Sequence, residues 1–219
     1  MTAEHASDFG PITALGLLDS ADLPVLAALK SEILESADFT PSGPKRRQHA
    51  LFSGAGPTTY TFGRTALAST PDTPLLSSFS RWASSAFGTD GQVSTMALYG
   101  PFDDLTWHSD DERDFHEHFR IISFSIGGDA TFYVQPDTSS RNQLPILIKS
   151  GDLIIFDGRV PHRVSAPVFT HPRVGDEDQK RLNVTIRRWK ASAFSQHKVR
   201  GHPSNPPVTR ELRAHKRRK

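Results

Sequence analysis

Apolar and polar residues alternate along this chain in two registers, helical near the start and strand-like after residue 90. Residues 21–37 place Leu23, Leu26, Ala27, Ile33, Leu34 and Ala37 on one face, which predicts an amphipathic helix with Ser20 as N-cap. A second helix is expected over 74–87, opened by Thr73 and stopped by Gly88. Between them, 38–72 reads as loop-rich because Gly54, Gly56 and Pro57 interrupt it, with one β segment at Thr58–Phe62. Short strands are then expected near 92–99, 120–126, 130–135, 144–149, 153–156, 162–166 and 181–188. Gly127-Gly128, Pro136 to Asn142, Gly151-Asp152 and Gly158 supply the turns. Seven short strands with tight turns point to a jelly roll rather than to βαβ units. The expected class is α+β, mainly β: a double-stranded β-helix core supported by N-terminal helices.

The last strand carries the clearest two-faced pattern. Arg181, Asn183, Thr185 and Arg187 alternate with Leu182, Val184 and Ile186. Two arginines on one strand face are costly to enclose unless anions meet them, and a guanidinium is shaped to fork onto a carboxylate. Six strand steps separate the two by about 20 Å of backbone, so long side chains converging on one dicarboxylate can close much of the gap. A solvent-facing edge strand is the bland alternative.

His108 and Asp110 stand two apart, so on an extended segment both project to one side. Taken alone, the pair equally describes a solvated acidic loop. His162 lies 52 residues beyond Asp110 and can complete a set of two histidines and one carboxylate only from another strand. That donor set occupies one face of a non-haem iron and leaves the other positions open.

The order Tyr99, His108-Ser109-Asp110-Asp111-Glu112, His162, Arg181-x-Asn183-x-Thr185-x-Arg187 resembles the AlkB family of oxidative nucleic-acid demethylases, in particular its eukaryotic and plant-virus branches. The resemblance spans about residues 92–190. It implies Fe(II) held by His108, Asp110 and His162, with these three as the catalytic centre. It implies 2-oxoglutarate as co-substrate on Tyr99, Arg181, Asn183 and Arg187. It also implies molecular oxygen as a reactant and alkylated DNA or RNA as the macromolecular partner. One departure stands at Ala97, where family members often carry Asn. The family places its nucleotide-recognition lid ahead of the core, which makes Tyr60 and Phe62 the candidate base-stacking residues, with Glu112 shaping the pocket between metal and base. Two core aromatics on a strand is the competing reading of Tyr60 and Phe62.

Other motifs change the picture less. His116 and His118 also stand two apart but lack a partner strand, so they read as surface residues, as do His171, His197, His202 and His215. Trp107 and Trp189 read as packing residues, and Arg163, directly after a ligand, should point away from the metal. Arg64 and Lys45-Arg46-Arg47 could meet phosphates but read more simply as solvated surface.

The chain has 219 residues, 26 Lys/Arg, 24 Asp/Glu and no cysteine. No disulfide framework, zinc–thiolate site or thiol nucleophile is therefore possible. From Arg187 onward there are eleven Lys/Arg and one acid, Glu211. Such a basic end can bind phosphate backbones, act as an import signal or simply remain solvated. Three regions are expected: 1–91 with helices and lid, 92–190 as the dioxygenase core, and 191–219 as a basic tail entered through the breaker-rich segment 201–207. Met1 to Pro11 lacks the apolar core of a secretory signal. No stretch approaches the roughly 20 apolar residues that span a bilayer. An intracellular monomer, cytoplasmic or nuclear, is expected, with no membrane partner. Two rival functions remain: an oxygenase of the same fold acting on a protein or small metabolite, and a non-catalytic nucleic-acid-binding module.

Overall fold

The computed structural model describes residues 5–8, 12–16, 23–42, 47–56, 58–62, 65–87, 93–112, 120–135, 143–169 and 179–188, with side chains from residue 24 onward. The caps expected at Ser20 and Gly88, the turn at 136–142, Lys45, Arg46, Arg64, His116, His118, His171, Trp189 and the whole basic tail lie outside those residues.

Helix α1 (Leu23–Ser36) buries Leu26 and Ile33 of the expected face and leaves Ala27 and Leu34 half-buried, while Leu29, outside that face, is buried as well. Helix α2 (Pro74–Phe87) starts at Thr73, whose Oγ1 accepts a hydrogen bond from the Leu76 amide at 3.3 Å. The Leu75 amide donates to Glu32 Oε1 of α1 at 2.9 Å, so one helix caps the other.

Fourteen strands follow the chain among the described residues: β1 (His5–Asp8), β2 (Ile12–Gly16), β3 (Thr40–Ser42), β4 (Arg47–Ser53), β5 (Thr59–Phe62), β6 (Thr65–Pro71), β7 (Val93–Tyr99), β8 (Leu105–His108), β9 (Arg120–Ile126), β10 (Ala130–Val134), β11 (Leu144–Ile148), β12 (Asp152–Asp157), β13 (His162–Val164) and β14 (Arg181–Arg187). The larger sheet runs β1-β2-β12-β9-β14-β7-β4-β6-β5, with β3 beside β4. The smaller sheet runs β11-β10-β13-β8. Pairing is antiparallel except between β4 and β6.

The jelly-roll expectation holds, and the seven expected strands appear within two residues at each end. The loop-rich expectation for 38–72 does not hold. That region forms β3 to β6, and β4 pairs with β7 from Gln48 to Ser53. Its Ala50-Leu51-Phe52 run is fully buried, so core burial outweighs the breakers that follow it. Strands β1, β2 and β8 were also not visible in the alternation of the sequence.

The larger sheet is covered on both faces. On one side Leu182, Val184, Ile186, Met96 and Phe124 pack under α1 and α2, with Phe79 of α2 against Phe124 at a ring distance of 4.6 Å. On the other, Ile121, Ile154 and Phe156 meet Phe132, Ile146 and Val164 of the smaller sheet. The candidate site lies where the two sheets part.

Candidate metal and co-substrate site

All ten residues singled out in the sequence line one cavity of about 150 Å³: Tyr60, Phe62, Tyr99, His108, Asp110, Glu112, His162, Arg181, Asn183 and Arg187. The two sheets divide the work. Strands β8 and β13 of the smaller sheet carry the histidines, and β14 and β7 of the larger sheet carry the arginines and Tyr99.

His162 lies directly opposite His108 in the β8–β13 ladder. Their rings are 4.1 Å apart between centroids. Each ring is fixed at Nδ1 by a backbone carbonyl, Thr106 O for His108 and Val160 O for His162, both at 2.9 Å. A carbonyl can only accept, so each Nδ1 carries a proton, and a ring that is otherwise neutral keeps its Nε2 lone pair for a metal. Those two Nε2 atoms face Asp110, at 3.4 Å from Oδ1 and 3.8 Å from Oδ2. The three donor groups lie within 4.8 Å of one another. Phe132 stacks on the His162 ring at 5.0 Å and Phe156 meets it edge-on at 4.8 Å, so the ring cannot turn freely.

Asp110 is placed through its backbone. Its amide donates to Gly158 O at 2.7 Å, across the turn between β12 and β13. A Cβ on Gly158 would overlap the Asp110 carbonyl, so this close approach requires glycine. The Asp110 carboxylate accepts from Arg187 Nη2 at 2.8 Å. Burial alone would raise its pKa, but Arg187, then His108 and His162, hold it well below the usual carboxylate range. Burial would lower the Arg187 pKa, and Asp110, Tyr60 and Glu112 raise it instead. Burial pulls the His162 imidazole down to about 4 against the attraction of Asp110. Burial also acts to lower His108, but the hydrogen bond and charge of Asp110 raise it overall. Neutral ring nitrogens beside an ionised carboxylate are the form a divalent transition metal needs.

Glu112 ties strand β5 to this centre. One of its oxygens accepts from the Tyr60 hydroxyl and the other from Arg187 Nη1, the latter at 3.2 Å. Burial, the first cause, pushes the Tyr60 phenol well above its usual range, with Glu112 adding to it against Arg187. Tyr60 and Phe62 stack at 5.2 Å and 30°.

At the other end of the cavity, Arg181 is 2% exposed. Its Nη2 donates to Ser125 Oγ at 2.6 Å, and its guanidinium lies 5.3 Å from the Tyr99 ring centre. Among the described residues no carboxylate pairs with it, and its Nε has no hydrogen-bond partner there. Burial lowers its pKa, the Tyr99 interaction opposing that shift. A buried cation without an anion fits a site made for a ligand that brings its own carboxylate. Asn183 donates through Nδ2 to Ser123 Oγ at 2.8 Å and Phe124 O at 2.9 Å, and accepts from Thr185, which locks β14 to β9.

Two ionisable cavity residues went unrecognised in the sequence. Arg47, read there as surface, lines the cavity with its guanidinium 5.7 Å from the Tyr99 ring centre. His49 lines it two residues on. Neither belongs to a motif, and only the strand nature of 47–53 could have revealed that both face inward. Arg163 does point away from the centre, with its guanidinium 3.9 Å from the Tyr133 ring centre and 5.6 Å from that of Trp107.

Comparison with known proteins agrees with this geometry. The family model of the 2OG-Fe(II) oxygenase superfamily matches residues 55–187. Among solved structures, OsALKBH1 superposes with a TM-score of 0.61 at 19% identity, covering 84% of this chain and 100% of that one. A search of curated protein sequences finds no match. Among the described residues, no helix is long and apolar enough to cross a membrane.

Proposed function

This chain belongs to the 2OG-Fe(II) oxygenase superfamily, and from that premise we propose that it oxidatively demethylates N-alkylated bases in DNA or RNA. The cofactor and co-substrate are Fe(II) and 2-oxoglutarate. The observation that carries the reading is the pairing, in one cavity, of a two-histidine, one-carboxylate cluster with the buried, carboxylate-free Arg181. One could hold a metal ion, and the other would suit a dicarboxylate.

His108, Asp110 and His162 would hold the iron. Arg181, Tyr99, Asn183 and Arg187 would hold 2-oxoglutarate, Arg181 neutralising one carboxylate where solvent cannot. When bound, iron with 2-oxoglutarate and molecular oxygen would supply the oxidising chemistry: one oxygen atom enters the N-methyl group, giving a hydroxymethyl group lost as aldehyde, and the other enters succinate as carbon dioxide leaves. The chain contributes orientation and exclusion of water. The Thr106 and Val160 carbonyls keep both ligand rings in the metal-binding tautomer. Arg187 holds Asp110 ionised, and Glu112 steadies Arg187 and Tyr60 together.

A nucleic-acid substrate is supported by the AlkB-like motif order, by the fold shared with OsALKBH1 and by the stacked Tyr60–Phe62 pair on the cavity wall. A base taken out of its stack needs such an aromatic surface. The test is formaldehyde release from single-stranded DNA and RNA oligonucleotides carrying N1-methyladenine or N3-methylcytosine, with Fe(II) and 2-oxoglutarate, and His108→Ala as control. Release that vanishes in the control is expected. Succinate formation without formaldehyde would keep the oxygenase and reject the demethylase, and undiminished turnover by His108→Ala would sink the metal assignment.

A further inference from the structure

His49 stands across the β4–β7 ladder from Ala97, and Ala97 stands across the β7–β14 ladder from Asn183. The three therefore share the sheet face that carries Arg181 and Arg187. The Ala97 side chain is a single methyl group, so the His49 imidazole forms this part of the cavity wall. Its ring packs on Phe62 at 5.0 Å between centroids, and Phe62 in turn stacks on Tyr60. Its Nε2 is buried and has no hydrogen-bond partner among the described residues. Burial, reinforced by the charges of Arg47 and Arg187, pulls the imidazole down to about 4. At neutral pH it therefore offers one N–H and one lone pair, without charge.

Buried polar groups are ordinarily satisfied, and one that is not calls for an explanation. The carboxylate of Glu112 is held by Tyr60 and Arg187, and a carboxylate oxygen only accepts, whereas an imidazole can also donate. A carboxylate ligand is drawn to the buried guanidinium of Arg181 rather than to an uncharged ring. What suits His49 is the uncharged hydrogen-bonding edge of a flat ring lying against Phe62 and Tyr60.

We propose that His49 is a specificity-determining residue: its imidazole hydrogen-bonds the edge of a planar heteroaromatic substrate stacked on Phe62 and Tyr60. The inference rests on the base-demethylase reading and adds the group that distinguishes one base from another. A site that hydrogen-bonds its substrate rejects analogues lacking the matching group far more strongly than an apolar wall can.

Three variants of the full chain separate hydrogen bond from ring. His49→Phe keeps an aromatic surface, His49→Gln keeps hydrogen bonding, and His49→Leu keeps neither. The readouts are kcat and KM on each methylated oligonucleotide, and the Kd of 2-oxoglutarate with Mn(II) in place of iron. His49→Phe should raise KM about tenfold, a difference of about 1.4 kcal/mol. It should also narrow the preference between methylated adenine and methylated cytosine, with kcat and the 2-oxoglutarate Kd within about twofold of wild type, and His49→Gln should recover part of the loss. If His49→Phe does not fold, the difference between Gln and Leu gives the same answer. An active wild type whose KM and base preference survive loss of the hydrogen bond overturns this inference alone. So does a loss carried by the 2-oxoglutarate Kd. A wild type inert on every oligonucleotide overturns the functional reading, and this inference with it.

Discussion

Arg187 bridges two carboxylates at once, reaching Asp110 Oδ2 through Nη2 at 2.8 Å and Glu112 Oε2 through Nη1 at 3.2 Å. The two acids are two residues apart in sequence, and the planar fork spans both. A lysine offers one point charge and cannot. Arg187→Lys should lower turnover by about 10- to 100-fold. It should also destabilise the fold by about 3 kcal/mol, since a buried acid loses its partner. Steady-state kinetics and urea unfolding check both, and a variant with wild-type kcat would remove Arg187 from the proposed machinery.

Arg181 makes the opposite trade. Its buried guanidinium has no carboxylate partner among the described residues. Arg181→Met should therefore stabilise the ligand-free protein by about 1 kcal/mol, a Tm rise of about 2–4 °C. The same variant should no longer be stabilised by added 2-oxoglutarate, whereas wild type should be. Thermal melts with and without the co-substrate read both effects. A variant that still gains stability from 2-oxoglutarate would place the dicarboxylate elsewhere.

Gly158 is a prediction about backbone. A methyl group there overlaps the Asp110 carbonyl, whose residue also donates its amide to Gly158 O. Gly158→Ala should displace Asp110, weaken Mn(II) binding by at least about tenfold and destabilise the fold by about 1–3 kcal/mol. Metal titration followed by fluorescence would show it, and unchanged affinity would mean that the turn yields without moving the ligand.

The metal-free protein should lose stability between pH 6.5 and about 4. Folding lowers His49 and His162 to about 4, while the unfolded chain titrates near 6.5. At these two groups the unfolded state binds more protons in that window, so their contribution is full above 6.5 and is lost as pH drops, the raised His108 acting in the opposite sense. His49→Phe should flatten part of that slope, by about 1–2 kcal/mol at pH 4.5. Urea unfolding at pH 7.5, 5.5 and 4.5 reads this, and parallel wild-type and variant curves would refute it.

The site was more legible than the scaffold that surrounds it. His108, Asp110 and His162 were visible because ligands for one ion need fixed spacing, and β14 because its two faces have opposite chemistry. Strand β9 matches its expected bounds, 120–126, since its apolar run ends at Gly127, which adopts φ 100°. Strand β6, by contrast, is Thr-Ala-Leu-Ala-Ser-Thr-Pro, with only Leu67 buried among small and polar residues, so it carries almost no period. Strand β4 is buried throughout its second half and shows no alternation, which left the inward direction of Arg47 and His49 unreadable. Their placement depends on pairing with β7, a relation between segments that no local pattern encodes.

The chain order of the larger sheet ties maturation to competence. Strand β14 is the last described strand in sequence, yet it lies in the interior of the sheet between β9 and β7. Until residue 187 has been made, those two neighbours have nothing between them, and the helices have no continuous floor to cover. The same strand carries Arg181 and Arg187. A chain that stops short of it lacks at one stroke the strand that joins β9 to β7 and both arginines proposed to hold the dicarboxylate, so sheet closure and the proposed co-substrate site are completed together.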